Sequence, residues 1–204
     1  MLVLIDSAFG TAVASRIPTS KTVALDSFVR KPLDFPIDCG FLAVALSAKR
    51  VDLLEALDDH CRRQGLSWAL SFLADKYLYC GPNFVQSARP CFRCFYRRDL
   101  THLTSPREAP RELAIDQYFA RNRQESIPGF TSGSALMSAA FIRRCSQGEL
   151  PSGCLRRVQL LTGSVDDTLV FGIHDCPYCS GKTAQQKLDQ THEFLVRALP
   201  KQLQ

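Results

Sequence analysis

No run of about eighteen or more apolar residues occurs in this chain, so a membrane-spanning helix is not expected. The apolar run that opens it, Leu2-Val3-Leu4-Ile5, has no basic region ahead of it, so the pattern of a secretory signal is missing. Internal repeats and low-complexity segments are also missing, which excludes solenoids and biased linkers. Charge of one sign never accumulates. The net charge is +5, and Arg97-Arg98, Arg143-Arg144 and Arg156-Arg157 are separate doublets. Such doublets read as solvated surface, not as a nucleic-acid stripe, although an acidic peptide partner is compatible with the balance. Histidine is scarce. His60 follows a run of acids, and His102 and His192 have no partner pattern. No Ser/His/Asp grouping and no activated thiol emerges from spacing.

Cysteine, by contrast, is abundant, with nine residues. Without an export signal, these predict a reducing, cytoplasmic location and metal thiolates in place of a disulfide framework. Four fall in two tight pairs, Cys91-Phe-Arg-Cys94 and Cys176-Pro-Tyr-Cys179. Two intervening residues let both thiolates of a pair turn onto one ion, and two pairs complete a tetrahedral site whose usual occupant is zinc. The pairs are much farther apart than in a local zinc ribbon, so a stretch of fold must bring them together. Four thiolates leave no open position, which makes the site structural and not catalytic. An iron–sulfur cluster uses the same ligands, and a redox disulfide within either pair is a further reading. His174 precedes Cys176 by two residues and reads as the end of a strand, not as a ligand. Cys39, Cys61, Cys80, Cys145 and Cys154 read as small buried apolar residues.

The first third alternates between strand and helix patterns. Leu2 to Ile5, Thr22 to Leu25 and Phe41 to Leu46 are strand candidates, and Ala12 to Arg16 suits a helix that Pro18 ends. Ser47 is placed to cap the next helix. In that helix Leu54, Leu57 and Cys61 form an apolar stripe, Asp52, Glu55, Asp58 and Asp59 face water, and Gly65 is the stop. Trp68 to Leu73 and Tyr77 to Tyr79 add strands. This rhythm predicts an α/β fold with a parallel sheet covered by helices. Gly81-Pro82 then opens a turn-rich segment. A short helix is expected around Ile115, Tyr118 and Phe119, and a second from Ser134 to Arg144 with Gly148 as its stop. A hairpin is predicted from Val158 to Leu161 and Thr168 to Ile173, with residues 163–167 as its loop. A final amphipathic helix is expected from Lys182 to Leu199.

The landmarks around the cysteines carry a resemblance. The chain reads Gly81-Pro82-Asn83-Phe84-Val85, then Arg89-Pro90-Cys91-Phe92-Arg93-Cys94 and Arg97. Later come Ile127-Pro128-Gly129, a small-residue helix, a hairpin and Cys176-Pro177-Tyr178-Cys179. This order resembles ubiquitin-activating-enzyme-like (ThiF-like) proteins, specifically the partners of YcaO cyclodehydratases in thiazole- and oxazole-modified peptide (bacteriocin) biosynthesis. The resemblance implies a degenerate Rossmann-like domain with a structural zinc site held by Cys91, Cys94, Cys176 and Cys179. It would span 1–204 as a single domain, with a degenerate nucleotide-binding half at about 1–80 and a zinc-bearing half at about 81–204.

Relatives of this kind that bind nucleotide carry a glycine-rich turn after the first strand, where backbone approaches phosphate. Here the segment is Ser7-Ala8-Phe9-Gly10-Thr11-Ala12, with only Gly10 retained and Phe9 bulky. Asp26 stands where a ribose contact would sit, although an aspartate ending a strand is more often a turn residue. The expectation is a pseudoenzyme that does not bind ATP and has no catalytic residue. It would be a scaffold or activator that presents a ribosomal precursor peptide to an ATP-dependent YcaO enzyme. Because this sequence starts almost at the first strand, an N-terminal leader-recognition module is not expected within it. The precursor is therefore expected to bind directly, through another leader-binding subunit or through a homodimer. Phe95, Tyr96 and the final helix are candidate partner contacts, and no nucleic acid or membrane partner is expected. The alternative is a ThiF-type adenylating enzyme acting on a peptide or protein C-terminus.

Overall fold

In the computed structural model the described residues are 1–18, 20–32, 40–74, 76–102 and 107–180. Cys39 and the helix expected at 182–199 lie outside them. The elements run β1 (Leu2–Ile5), α1 (Ala8–Ala14), β2 (Lys21–Ala24), α2 (Leu25–Arg30), β3 (Phe41–Leu46), α3 (Val51–Gln64), β4 (Ser67–Ala74) and β5 (Tyr77–Phe84). They continue with α4 (Phe92–Thr101), α5 (Glu108–Arg121), α6 (Ser132–Ser146), β6 (Cys154–Gln159) and β7 (Val165–Leu169). None of these helices is long and apolar enough to cross a membrane.

The strands form one seven-stranded mixed sheet in the order β2-β1-β3-β4-β5-β6-β7. The β1–β2, β1–β3 and β3–β4 pairs are parallel, as the alternating rhythm predicts. From β4 onward every pair is antiparallel, which the expectation of a parallel sheet did not include. The chain reverses directly from β4 to β5 without a crossover helix, and only an antiparallel pair permits so short a link.

Side chains alternate across the central strands and build two cores. Leu42, Val44 and Leu46 of β3 pack with Leu54, Leu57, Phe92 and Phe95 of α3 and α4 on one face. Ala43 and Ala45 face the other way and pack with Phe9, Val13, Ala139 and Ile142 of α1 and α6. The small residues on that face let α1 lie close. A Cβ on Gly10 would overlap the carbonyl oxygen of Ala45 and stand 2.7 Å from Ile5 Cβ. Gly10 therefore serves helix–sheet contact.

Several local expectations change. Gly81 and Pro82 lie inside β5, where the register shifts opposite Ala69–Ser71 and absorbs them as a bulge. A turn begins only after Phe84. Ser47 does not cap α3, which starts later behind Arg50, and its hydroxyl is buried without a partner. Gly65 ends α3 in the left-handed conformation at φ 67°. Asp58 does not face water but is fully buried. Leu25 opens a helix where the second strand was to close. The hairpin loop falls earlier, so β7 begins at Val165, not Thr168. Cys61, Cys80 and Cys145 are buried as expected, and Cys154 is partly so.

Candidate metal centre

Cys91 ends the loop after β5 and is the N-cap of α4, with its carbonyl accepting the N–H groups of Cys94 (3.1 Å) and Phe95 (3.2 Å). That first turn places Cys94 directly above Cys91. The second pair follows β7 and forms its own turn, in which Ser180 N–H donates to the Cys176 carbonyl at 3.0 Å. The fold brings these two turns face to face. All four Sγ atoms lie within 4.8 Å of one another. Three separations are short, with Cys91–Cys94 at 3.6 Å, Cys91–Cys176 at 3.7 Å and Cys94–Cys179 at 3.5 Å.

These distances discriminate between chemistries. A disulfide needs sulfurs about 2.05 Å apart, which none of these approaches. A tetrahedron of thiolates with metal–sulfur bonds of about 2.3 Å has edges of about 3.8 Å. Three of the six separations are near that edge and the rest lie within 4.8 Å, so the four cysteines could hold one metal ion. Cys91, Cys94 and Cys176 form their own small buried group, with Ile173 and the partly buried Cys179 packed against it.

The electrostatics fit a bound cation. The Cys91 thiol donates towards Cys94 and the Ile173 N–H donates to the same sulfur at 3.3 Å. These contacts, led by the thiol, pull Cys94 down to about 4. The same thiol contact, reinforced by burial, pushes Cys91 up. Burial likewise raises Cys179. Four crowded sulfurs cannot all ionise without a positive charge among them, and a metal ion supplies it.

The surrounding side chains lock both turns. Asp58, raised by burial and pulled back down chiefly by Arg62, accepts the Phe92 N–H at 3.3 Å and the Trp68 indole N–H at 3.2 Å. Arg62 donates to the Pro90 carbonyl. Arg93 forms a two-pronged pair with Asp59 and stacks on the Tyr178 ring at 4.0 Å. Arg89 donates to the Ile173 carbonyl, and Arg98 Nε to the Phe171 carbonyl at 2.7 Å. Spacing found the sulfurs but not this frame of arginines. Arg89 and Arg93 stand beside the first pair, yet their partners lie on α3 and after β7. His174 points to solvent and pairs with Asp175, away from the sulfurs.

The second candidate region is the crevice at the C-terminal ends of β1 and β3, where the strand order reverses and where open α/β sheets place ligands. It is occupied by the protein's own side chains. Asp6 accepts the Ser47 N–H at 2.9 Å and Arg50 Nε at 3.4 Å. The same buried guanidinium donates to the carbonyls of Phe119, Asn122 and Glu125, which draws α5 over the crevice. Asp26 is held by Arg30 at 2.8 Å and by Arg123, so its carboxylate is already paired. Phe95 is buried, and Tyr96 stacks on Phe92 and donates to Asp116 at 2.8 Å. Neither is an exposed partner contact as the sequence had suggested.

No family model matches the chain, and no curated protein does. Solved structures do match at the level of fold, and heterocyclases are among them. A heterocyclase in complex with substrate and cofactor aligns over 87% of this chain and 25% of its own, with TM-score 0.60 and 13% identity. The heterocyclase TruD aligns over 93% of this chain and 28% of its own, with TM-score 0.61 and 13% identity. E. coli MccB aligns over 89% and 65%, with TM-score 0.57 and 12% identity. The chain thus spans about a quarter of the heterocyclases it matches and two thirds of MccB.

Proposed function

We propose that the chain is the non-catalytic scaffold or activator subunit of a thiazole/oxazole-forming peptide cyclodehydratase, working beside a YcaO-type ATP-dependent enzyme. The observation that carries this reading is the converged Cys91, Cys94, Cys176 and Cys179 cluster, set within a fold shared with peptide heterocyclases. Zinc is the proposed ion and its role is structural, because four protein thiolates leave no position for substrate. The domain is read as one degenerate Rossmann-like unit spanning 1–204. Asp6, Ser47 and Arg50 fill the place where a nucleotide would enter, which supports a pseudoenzyme. The precursor peptide is held directly or through a separate leader-binding subunit. Such holding raises the local substrate concentration without a catalytic side chain. The test is co-purification with a YcaO protein and ring formation with and without this chain. No association and no change in turnover would overturn the reading.

A second reading is favoured by the MccB likeness. The structure of E. coli MccB with ATP aligns with TM-score 0.51 over 79% of this chain. An adenylating enzyme acting on a peptide C-terminus would bind ATP at micromolar concentration and release pyrophosphate. The scaffold reading predicts neither, and isothermal titration with a pyrophosphate assay separates the two.

A further inference from the structure

A cavity of 460 Å³ opens between α4 and the β5–β7 face of the sheet, a size suited to a ligand group. One wall is apolar and includes Phe95, Leu155 and Leu169, with Phe171 at the rim 67% exposed. The other wall carries Arg98, His102 and Arg157. The cavity runs into a second of 380 Å³ through Tyr79, Asp99, His102 and Arg157, which line both, and the second adds the bases Lys49, Lys76 and Arg111 and the acids Glu108 and Glu112. The result is an elongated groove with an apolar end and a charged end.

The charges along it are unequal. Asp99, the acid at the junction, is held by the buried ammonium of Lys49 at 3.2 Å. Arg98 gives its N–H groups to the neutral carbonyls of Phe171 and Gly172 and keeps its charge. Arg157 meets Asp166 at 3.7 Å, shares a hydrogen bond with Tyr79 and lies 5.8 Å from the centre of the Tyr77 ring, so it stands at the junction of the two cavities with its guanidinium partly exposed.

We propose that this groove binds an extended peptide segment of a partner protein, with an acidic side chain reaching Arg157 and large apolar side chains against Phe95, Leu155 and Phe171. The continuity of the two cavities favours a peptide over a small molecule, and the wall of Arg98, His102 and Arg157 beside the apolar end favours carboxylate over ammonium. The assignment goes beyond the cyclodehydratase reading and does not rest on it, since any partner carrying such a segment would fit.

The test is fluorescence anisotropy of the metal-loaded full chain with three labelled octapeptides, alternating leucine and glutamate, leucine and lysine, or serine and glutamate. The leucine–glutamate peptide should bind at least tenfold more tightly than either of the others. Arg157→Gln and Phe171→Ser should each weaken it at least tenfold at unchanged metal content, while Arg143→Gln on the exposed surface of α6 should not. Equal affinity for the three peptides, or unchanged binding by both groove variants, would overturn the proposal. Self-association abolished by Phe171→Ser in sedimentation would overturn it too, by assigning the groove to a second copy of the chain.

Discussion

The guanidinium of Arg93 lies 4.0 Å from the ring centre of Tyr178, so the residue between the first two cysteines stacks on the residue between the last two. The two turns are thus held by a side-chain contact as well as by the close approach of their sulfurs. A cation–π contact at a partly exposed site is worth about 0.5–1 kcal/mol. Tyr178→Ala should therefore speed metal transfer to a chromophoric chelator by severalfold, and Tyr178→Phe should not. Equal rates for both variants would show that the stack does not hold the turns together.

Removal of one sulfur should have a larger effect. Cys91→Ser and Cys176→Ser each leave three thiolates in a space shaped for four. On the proposed zinc site, elemental analysis should find one zinc per chain in the wild type and fall towards none in these variants, and limited proteolysis should newly cut near residues 171–180. Acid acts in the same direction, because protons compete with metal for the thiolates. Release should steepen as pH falls. Stoichiometric zinc in both variants would remove the metal assignment.

Gly10 is a packing residue in this fold. A methyl group there would press on the Ala45 carbonyl and the Ile5 side chain, and overpacking of this kind costs about 1–3 kcal/mol. Gly10→Ala should lower the thermal midpoint without altering metal content. A wild-type midpoint would mean that α1 can shift away from the sheet.

Asp116 supplies a pH test. Burial raises its carboxyl above the ordinary range, against the opposing pull of Lys49. The folded state therefore holds this proton more firmly than the unfolded chain does. The stabilisation it contributes is complete below the unfolded value of about 3.9 and fades as pH rises through the folded value. Asp116→Asn keeps an acceptor for the Tyr96 hydroxyl and cannot ionise. Measured by urea unfolding, the variant should gain on the wild type as pH rises from 4 to 7. A difference that stays flat or runs the other way would contradict the assignment.

Arg50 gives the last prediction. Its guanidinium is buried against Asp6 and three carbonyls of the segment from Phe119 to Glu125. Stripping one partner from a buried ion pair costs about 3–5 kcal/mol. Arg50→Met should destabilise the chain by that order and expose α5 to hydrogen exchange. Unchanged protection of α5 would show that Arg50 does not hold it down.

Much of this protein could be read from local pattern. The identical Cys-x-x-Cys spacing picked out the four cysteines that the fold gathers into one cluster, because two residues between thiols is a matter of turn geometry that sequence alone encodes. The apolar runs Leu2 to Ile5 and Phe41 to Leu46 and the stripe Leu54, Leu57, Cys61 named central strands and a helix for the same reason. What sequence could not decide was anything that depends on a distant partner. Asp58 sits among polar neighbours on its helix and reads as exposed. It is buried because the Trp68 indole and the Phe92 N–H converge on it from two other elements, while Arg62 reaches it from one turn along its own helix. Ser47 reads as a cap, yet Arg50 takes the position because Asp6, at the end of another strand, holds both. The sheet turns antiparallel after β4 because a short reversal leaves no room for a crossover, and Gly81-Pro82 enters a strand because a bulge accommodates it. Local covalent spacing determined which groups could bind metal. Tertiary packing alone brought the two pairs to tetrahedral distance, since only a folded sheet can overcome the chain entropy that separates them.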